Sequence, residues 1–359
     1  MKRRLAIIVP SMRGGGAERV ILNLVSNLNV RKYEIYMVLL QKEGPYLKFL
    51  PKSINIIDLK SNRVRYALYK LIKTLNAIRP DIVFSTLGHL NLGILLIRKF
   101  LVNKPKIYVR EASTPSMVMS DMNSFKKHIF FFLYKKLYRK ADLIVAQCME
   151  MKKDIIKTYG IERRKIKYIY NPINIKEIHS KMVEYNPYDK NKINILAVGR
   201  CSYQKGFDIL INAFELVLSK MDNTQLTILG DGELKSDLIE MVKNKDMEKY
   251  VTFVGFKENP YPYYYYSNLY VLSSRWEGFP NSLLEALACN TKIVSTNCKS
   301  GPREIIGNNE YGILVNVGDH IALAEGIIKA LNEDNRTRDR AYKYNINEVI
   351  KKYEQLFDL

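Results

Sequence analysis

Apolar runs of strand length recur through the first half of the chain: LAIIVPS, YEIYMVLL, INIIDL, DIVFSTL, KIYVREA, DLIVAQC and IKYIY. They are nearly continuous in Ile, Val and Leu, the pattern of strands covered on both faces of a parallel sheet. Segments such as 17–28 and 65–79 repeat their apolar residues at helical spacing, so the half reads as a series of βαβ units. After Asn171-Pro172 the chain turns polar, rich in Asn, Lys and Pro up to Lys192, and reads as an interdomain linker. A second series follows: INILAVGR, QLTILGDG, YVTFVGF, LYVLSS, TKIVSTN and GILVNV, again with helices between. The tyrosines 261 and 263–266 read as a short helix with some rings in the core and others at the surface. A last charged helical stretch over 337–359 is placed to pack back on the first domain.

The predicted fold class is therefore α/β, with one Rossmann-like parallel-sheet domain over residues 1–172 and a second over 173–336. The length of 359 residues agrees, since single cores stop growing below it. Two such sheets facing one another leave a central cleft, and open sheets bind ligands at the carboxyl ends of their strands. Composition, 47% hydrophobic and 26% charged, excludes a disordered chain. The four cysteines lie far apart with no CxxC pair, which suggests neither a disulfide framework nor a zinc site and suits a reducing cytoplasm. The basic start before LAIIVP looks like a secretory leader, but that run is short and leads into a glycine-rich loop, so it reads as a buried first strand. No apolar stretch approaches the ~20 residues of a membrane span.

Charge changes the picture. Residues 1–172 hold 34 Lys and Arg against 11 Asp and Glu, a net of +23, while residues 173–359 net −2. Such asymmetry points to a polyanionic partner for the first half, either nucleic acid or an anionic lipid surface. No nucleic-acid recognition module is recognisable, which favours the lipid surface. In the segment 124–142, SFKKHIFFFLYKKLYRKAD, helical spacing puts Ile129, Phe130, Leu133, Leu137 and Ala141 on one face. Lys135, Lys136 and Arg139 fall on the other, and Phe131, Phe132 and Tyr138 add aromatics beyond the core stripe. With Lys126 and Lys127 this is the candidate membrane contact, although a domain helix with a solvated basic face would read the same way.

Three constellations carry candidate chemistry. Gly14-Gly15-Gly16-Ala17-Glu18-Arg19 stands where a strand gives way to a helix. Glycines there let a ligand approach the backbone, and the helix start favours phosphate or a sugar hydroxyl. The pattern is not GxGxxG, which argues against a dinucleotide fingerprint, and a plain tight turn remains open. Arg200 and Lys205-Gly206 follow the strand INILAVGR and open the helix over 207–219. Two cations beside a helix start can hold a diphosphate and stabilise the charge on a departing one, though surface cations are also common. Finally, Glu277-Gly278-Phe279-Pro280-Asn281-Ser282-Leu283-Leu284-Glu285 sets one glutamate before a turn and another in the following helix. The N–H groups from Phe279 to Leu283 could bind an anion, Glu285 ribose hydroxyls and Glu277 a sugar ring; an ordinary helix-start carboxylate is the plainer alternative for Glu285. His89, His128, His179 and His320 each stand alone and receive no ligand role.

Taken in order and spacing, GGGAER, VGRCSYQKGFDILINAF, LTILGDGEL, VTFVGF and EGFPNSLLEALAC resemble the large retaining glycosyltransferase family 4, with its GT-B fold, over nearly the whole chain. The resemblance implies that the second domain binds a nucleotide sugar, by family habit UDP-linked, and the first an acceptor. Arg200 and Lys205 would bind the diphosphate, Glu285 the ribose and Glu277 the transferred sugar. Gly15 and Gly16 would approach the diphosphate, and backbone groups at Phe256 and Lys257 would hold the base. The two cations and a helix dipole would replace a metal, so neither metal nor cofactor is expected. Where many members carry a His, this chain reads Val109-Arg110-Glu111-Ala112-Ser113, which makes Glu111 the candidate acceptor base or orienter and a buried structural ion pair its rival. The function implied is retaining transfer of a hexose or N-acetylhexosamine to a lipid-linked or cell-surface glycan, at the inner face of the plasma membrane. A GT-B sugar-nucleotide epimerase is the alternative; a nucleic-acid-binding protein would leave the glutamate pair unexplained.

Overall fold

A computed structural model describes residues 2–120, 124–333 and 339–359; the side chains of residues 120 and 124–128 lie outside that description. The chain divides into two units, Met1–Pro172 with Ile346–Leu359, and Ile173–Asn345.

The first unit runs β1 Arg3–Val9, α1 Gly16–Asn27, β2 Tyr33–Leu39, β3 Asn55–Asp58, α2 Val64–Ile78, β4 Ile82–Thr86, α3 Gly88–Ile97, β5 Lys106–Arg110, α4 Pro115–Ser120, α5 Ser124–Tyr138, β6 Leu143–Ala146, α6 Met149–Tyr159 and β7 Ile166–Tyr168. Its seven strands pair in parallel in the order β3-β2-β1-β4-β5-β6-β7. Leu5 to Val9 of β1 are wholly buried, as a strand sheathed on both faces must be.

The second unit runs α7 Ile175–Lys181, β8 Ile193–Val198, α8 Phe207–Leu218, β9 Thr224–Leu229, α9 Lys235–Lys243, β10 Val251–Gly255, α10 Tyr261–Tyr266, β11 Leu269–Leu272, α11 Asn281–Ala288, β12 Lys292–Thr296, α12 Pro302–Ile306, β13 Ile313–Val315, α13 His320–Asn332 and α14 Asp339–Tyr342. Its six strands take the parallel order β10-β9-β8-β11-β12-β13. A final helix, α15 Ile346–Phe357, belongs to the first unit. It buries Ile346, Val349, Ile350, Tyr353, Leu356 and Phe357 at helical spacing. Phe357 meets Phe84 edge-on, with ring centroids 5.5 Å apart, so the aromatic core of the first sheet includes the chain's last helix.

Two expectations are corrected. The polar stretch 173–192 is not a free linker but part of the second unit. There α7, capped by the Asn174 side chain, buries Ile178, and the Tyr188 hydroxyl donates to the Tyr263 carbonyl at 3.0 Å. In α5 the buried stripe is Tyr134, Leu137 and Tyr138, while Ile129 and Leu133 are exposed. Tyr138 leaves the presumed surface because its hydroxyl finds a buried partner, described below, and a buried Tyr needs one. Within α10, Tyr261, Tyr263 and Tyr264 are buried and Tyr265 and Tyr266 half-buried.

Candidate active site

Strand order reverses between β8 and β11 in the second sheet and between β1 and β4 in the first. Loops leaving the strand ends at such a point part to opposite faces and open a crevice.

In the second unit the two loops are 199–206 and 273–280. Arg200 is exposed in the first. After it a 3-10 turn over Tyr203–Lys205 delivers the Lys205 side chain to Glu277, with Nζ to Oε1 at 2.6 Å. The Ser274 hydroxyl donates to the same oxygen at 2.6 Å. The two charged side chains are 17% and 7% exposed, so this ion pair is largely desolvated, and removing either partner would leave the other's charge buried. Glu277 stands behind Gly278, Phe279 and Pro280, all buried, and Pro280 precedes α11, which has no side-chain cap. Leu283 N–H already donates to the Pro280 carbonyl at 3.2 Å, which withdraws one of the amides assigned to an anion. Ser282 accepts from the Tyr270 hydroxyl at 2.8 Å, and Glu285 from the Tyr264 hydroxyl at 3.2 Å, so Glu285 is oriented from α10. Asn281 and Ser282 are half-buried.

The Phe256 ring is 47% exposed, Lys257 is exposed, and the Phe256 N–H donates to Asp231 Oδ2 at 3.0 Å. Asp231 is held below the usual carboxylate range by the Lys235 hydrogen bond and by this amide. Asp231, Ser274, Tyr264 and Arg275 escaped the sequence reading. For Asp231 a signal existed, the GDG turn after β9, where a Cβ on Gly230 would stand 1.9 Å from the Gly199 carbonyl oxygen.

In the first unit Gly15 caps α1 without a side chain, and Gly16 is its first residue. Gly14 takes φ +102°, a conformation open to glycine. A Cβ on Gly15 would meet the Glu18 carboxylate at 2.4 Å. At the end of β4, Leu87 holds φ +76°, a strained value for a leucine, just before Gly88 and the exposed His89.

Arg110 ends β5 and Glu111 follows it, and both are buried. Among the described residues no ion pair joins them, and each takes other partners. Arg110 donates to Thr86 Oγ1 at 3.2 Å and Asn171 Oδ1 at 2.6 Å, while Glu111 Oε1 accepts from the Tyr138 hydroxyl. Asn91 Nδ2 donates to the Arg110 carbonyl and to Tyr138 Oη, and Ser85 Oγ donates to Asn91 Oδ1. Burial pushes the Glu111 carboxyl up to about 7, although its bonds to Tyr138 and Asn91 and the Arg110 charge pull it down. A raised acid binds its proton more tightly folded than unfolded, so this group favours folding most below pH 4.5, progressively less up to about 7, and steadily least above that. Glu111→Gln should therefore gain melting temperature relative to the parent as pH rises from 5 to 8. Parallel melting curves across that range would show that Glu111 does not titrate there.

On α5, Phe131 and Phe132 are exposed, Phe132 to 62%, and Lys135, Lys136 and Arg139 are exposed beside them. Lys135 and Lys136 reach back over these two rings, each at 5.7 Å. The side chains of Lys126 and Lys127 lie outside the described residues. Among the described residues no group of three or more His, Cys, Asp or Glu gathers as a metal site, and no helix is long and apolar enough to cross a membrane. All four cysteines are buried and none is in a disulfide.

Comparison with known proteins agrees with this arrangement. Residues 14–177 match the family model Glycosyltransferase Family 4, and residues 180–348 match Glycosyl transferases group 1. The chain is 32% identical to the N-acetylgalactosamine-N,N'-diacetylbacillosaminyl-diphospho-undecaprenol 4-alpha-N-acetylgalactosaminyltransferase of Campylobacter jejuni, over 99% of this chain and 96% of that one. It is 26% identical to the amylovoran biosynthesis glycosyltransferase AmsD of Erwinia amylovora, over 87% and 85%. The solved structure of Anabaena Alr3699/HepE in complex with UDP superposes with a TM-score of 0.78 at 16% identity, covering 99% of this chain and all of that one. Two parallel α/β units, each with its strand-order reversal, and family matches that together run from residue 14 to 348 make this chain a glycosyltransferase of family 4, with the GT-B fold.

Proposed function

We propose that this chain moves a hexose or N-acetylhexosamine from a nucleotide sugar, UDP-linked, to a lipid-linked or cell-surface glycan, with retention of anomeric configuration. The observation that carries the reading is the desolvated Lys205–Glu277 pair at the β8/β11 reversal, with Arg200 exposed on the same loop and Glu285 on the helix that follows. Arg200 and Lys205 would neutralise the diphosphate, Glu285 would bind the ribose, and Glu277 a hydroxyl of the transferred sugar. As the bond from the anomeric carbon to the phosphate oxygen breaks, a bond to the acceptor oxygen forms on the same face. The departing phosphate takes the acceptor proton, and the two cations stabilise its charge. Glu111, buried against Tyr138, would orient the end of β5 rather than accept that proton. No metal enters this scheme. A panel of nucleotide sugars should show one that raises the melting temperature and is consumed with an extracted lipid-linked acceptor, and the turnover should persist in EDTA. Stabilisation by none of the panel would sink the reading, and full loss of activity in chelator would return a metal to it.

The undecaprenol-linked substrate named for the Campylobacter relative and the net +23 of residues 1–172 support an acceptor at an anionic membrane, on its cytoplasmic side. Each basic residue near such a surface contributes about 1 kcal/mol, fading within a Debye length of ~8–10 Å. Phe131 and Phe132 would enter the interface once Lys135, Lys136 and Arg139 have brought α5 to it. Co-sedimentation should require vesicles with anionic lipid, weaken with salt, and fall further when those three cations become glutamate. Unchanged binding by the charge-reversed protein would leave the basic face a solubility feature.

A further inference from the structure

Arg275 lies two residues before Glu277, yet its guanidinium turns to the neighbouring loop. Nη1 donates to the Tyr203 carbonyl at 2.7 Å and to Asp208 Oδ1 at 2.9 Å, and Nη2 to Asp208 Oδ2 at 2.6 Å. Its Cζ stands 4.0 Å from the centroid of the Tyr203 ring. Around it the backbones interlock. Arg275 N–H donates to the Gln204 carbonyl at 2.8 Å, Gln204 Nε2 to the Trp276 carbonyl at 2.9 Å, and Ser273 Oγ to the Lys205 carbonyl at 2.9 Å. Residues 203, 204 and 205 are thus each gripped from the stretch 273–276, and the last of them carries the ammonium that meets Glu277.

We propose that Arg275 is a positioning residue, which clamps the Lys205 loop to the Glu277 loop and so sets the geometry of the two groups that act on the donor. This rests on the donor reading given above. A fork that is bidentate to one carboxylate, bonded to a carbonyl and stacked on a ring has a single orientation, which a lysine cannot reproduce. Asp208 holds its end firmly: burial raises its carboxyl, but the Arg275 hydrogen bonds and charge outweigh that and keep it below the usual range. The Arg275 side chain, 18% exposed, has its guanidinium committed to this clamp.

Displacing a catalytic group by about 1 Å costs on the order of 10²-fold. Arg275→Ala should therefore lower kcat roughly 30- to 100-fold while changing donor KM by less than about threefold, because Lys205 keeps its charge but loses the alignment the transition state needs. Arg275→Lys should not rescue it, and Asp208→Asn, which leaves the Tyr203 contact, should fall between. The decisive readout is coupling: in a Lys205→Ala background, Arg275→Ala should cost less than about threefold more, since its effect passes through Lys205. Should Arg275→Ala fail to fold, Asp208→Asn in the same cycle carries the test. Multiplicative losses in that cycle, or near-normal kcat for Arg275→Ala beside a slow Lys205→Ala, would overturn the clamp alone. A near-normal Lys205→Ala would overturn the donor reading beneath it.

Discussion

Lys205→Met is expected to slow sugar transfer by at least ~10²-fold and to destabilise the second unit at the same time. Breaking a buried ion pair from one side leaves a desolvated charge and costs about 3–5 kcal/mol, whereas replacing both partners by apolar groups is often nearly neutral. Glu277 is 7% exposed and would lose the ammonium that neutralises it while keeping the Ser274 hydrogen bond, so the single variant should show that loss as a lower melting temperature. Lys205→Met with Glu277→Leu should recover most of the lost stability and none of the turnover. Thermal melts and initial rates on the parent, the single and the double variant check this. A double variant as unstable as the single would show that the pair is not desolvated, and a single variant that still turns over normally would show that Lys205 is not engaged with donor.

Gly206→Ala should be nearly as damaging. Gly206 takes φ +63°, where an L-residue pays about 1–2 kcal/mol, and a Cβ there would stand 2.3 Å from the Ser273 carbonyl oxygen. Backbone cannot yield as a flexible side chain can, so the loops after β8 and β11 must separate and Lys205 must move with them. Gly318→Ala is the control: its φ is +83°, but its Cβ would have no heavy atom within 4 Å. The control should lose some stability and keep its rate, while Gly206→Ala loses both, with turnover down by ~10²-fold. Equal behaviour of the two variants would mean that backbone conformation alone, and not close packing of the loops, makes Gly206 necessary.

Much of this architecture was legible beforehand because its signal is local. Every strand run read from the sequence is a strand of the structure, and inner strands such as β4 and β11 are the plainest because a parallel strand buried on both faces must be apolar along its length, whereas the edge strands β3 and β7 are only partly buried. The helix at residues 207–219 and those near 17–28 and 65–79 were readable to within a residue or so from apolar spacing. α5 was misread for a physical reason: FFFLY between two lysine pairs offers apolar residues on more than one face, so periodicity cannot choose which face is buried. The choice falls to Glu111, which takes the Tyr138 hydroxyl from across the fold. The stretch 173–192 was misread because polar composition alone cannot separate a linker from a capped helix at a unit's edge.

What the sequence determined by itself is the set of elements and the identity of the chemical groups: two parallel-sheet units, two cations after β8, two glutamates around α11, and a basic first half. These follow from burial periodicity, turn residues and charge, which are properties of neighbours in the chain. Which of these groups meet depends on the folded chain. Lys205 and Glu277 are joined across 72 positions, Arg275 leaves the crevice for Asp208, and Arg110 and Glu111, adjacent in sequence, find different partners instead of one another. Strand order sets those meetings, because placing β8 beside β11 brings together two loops that no local spacing connects, and the desolvation there is what makes each charge depend on its partner.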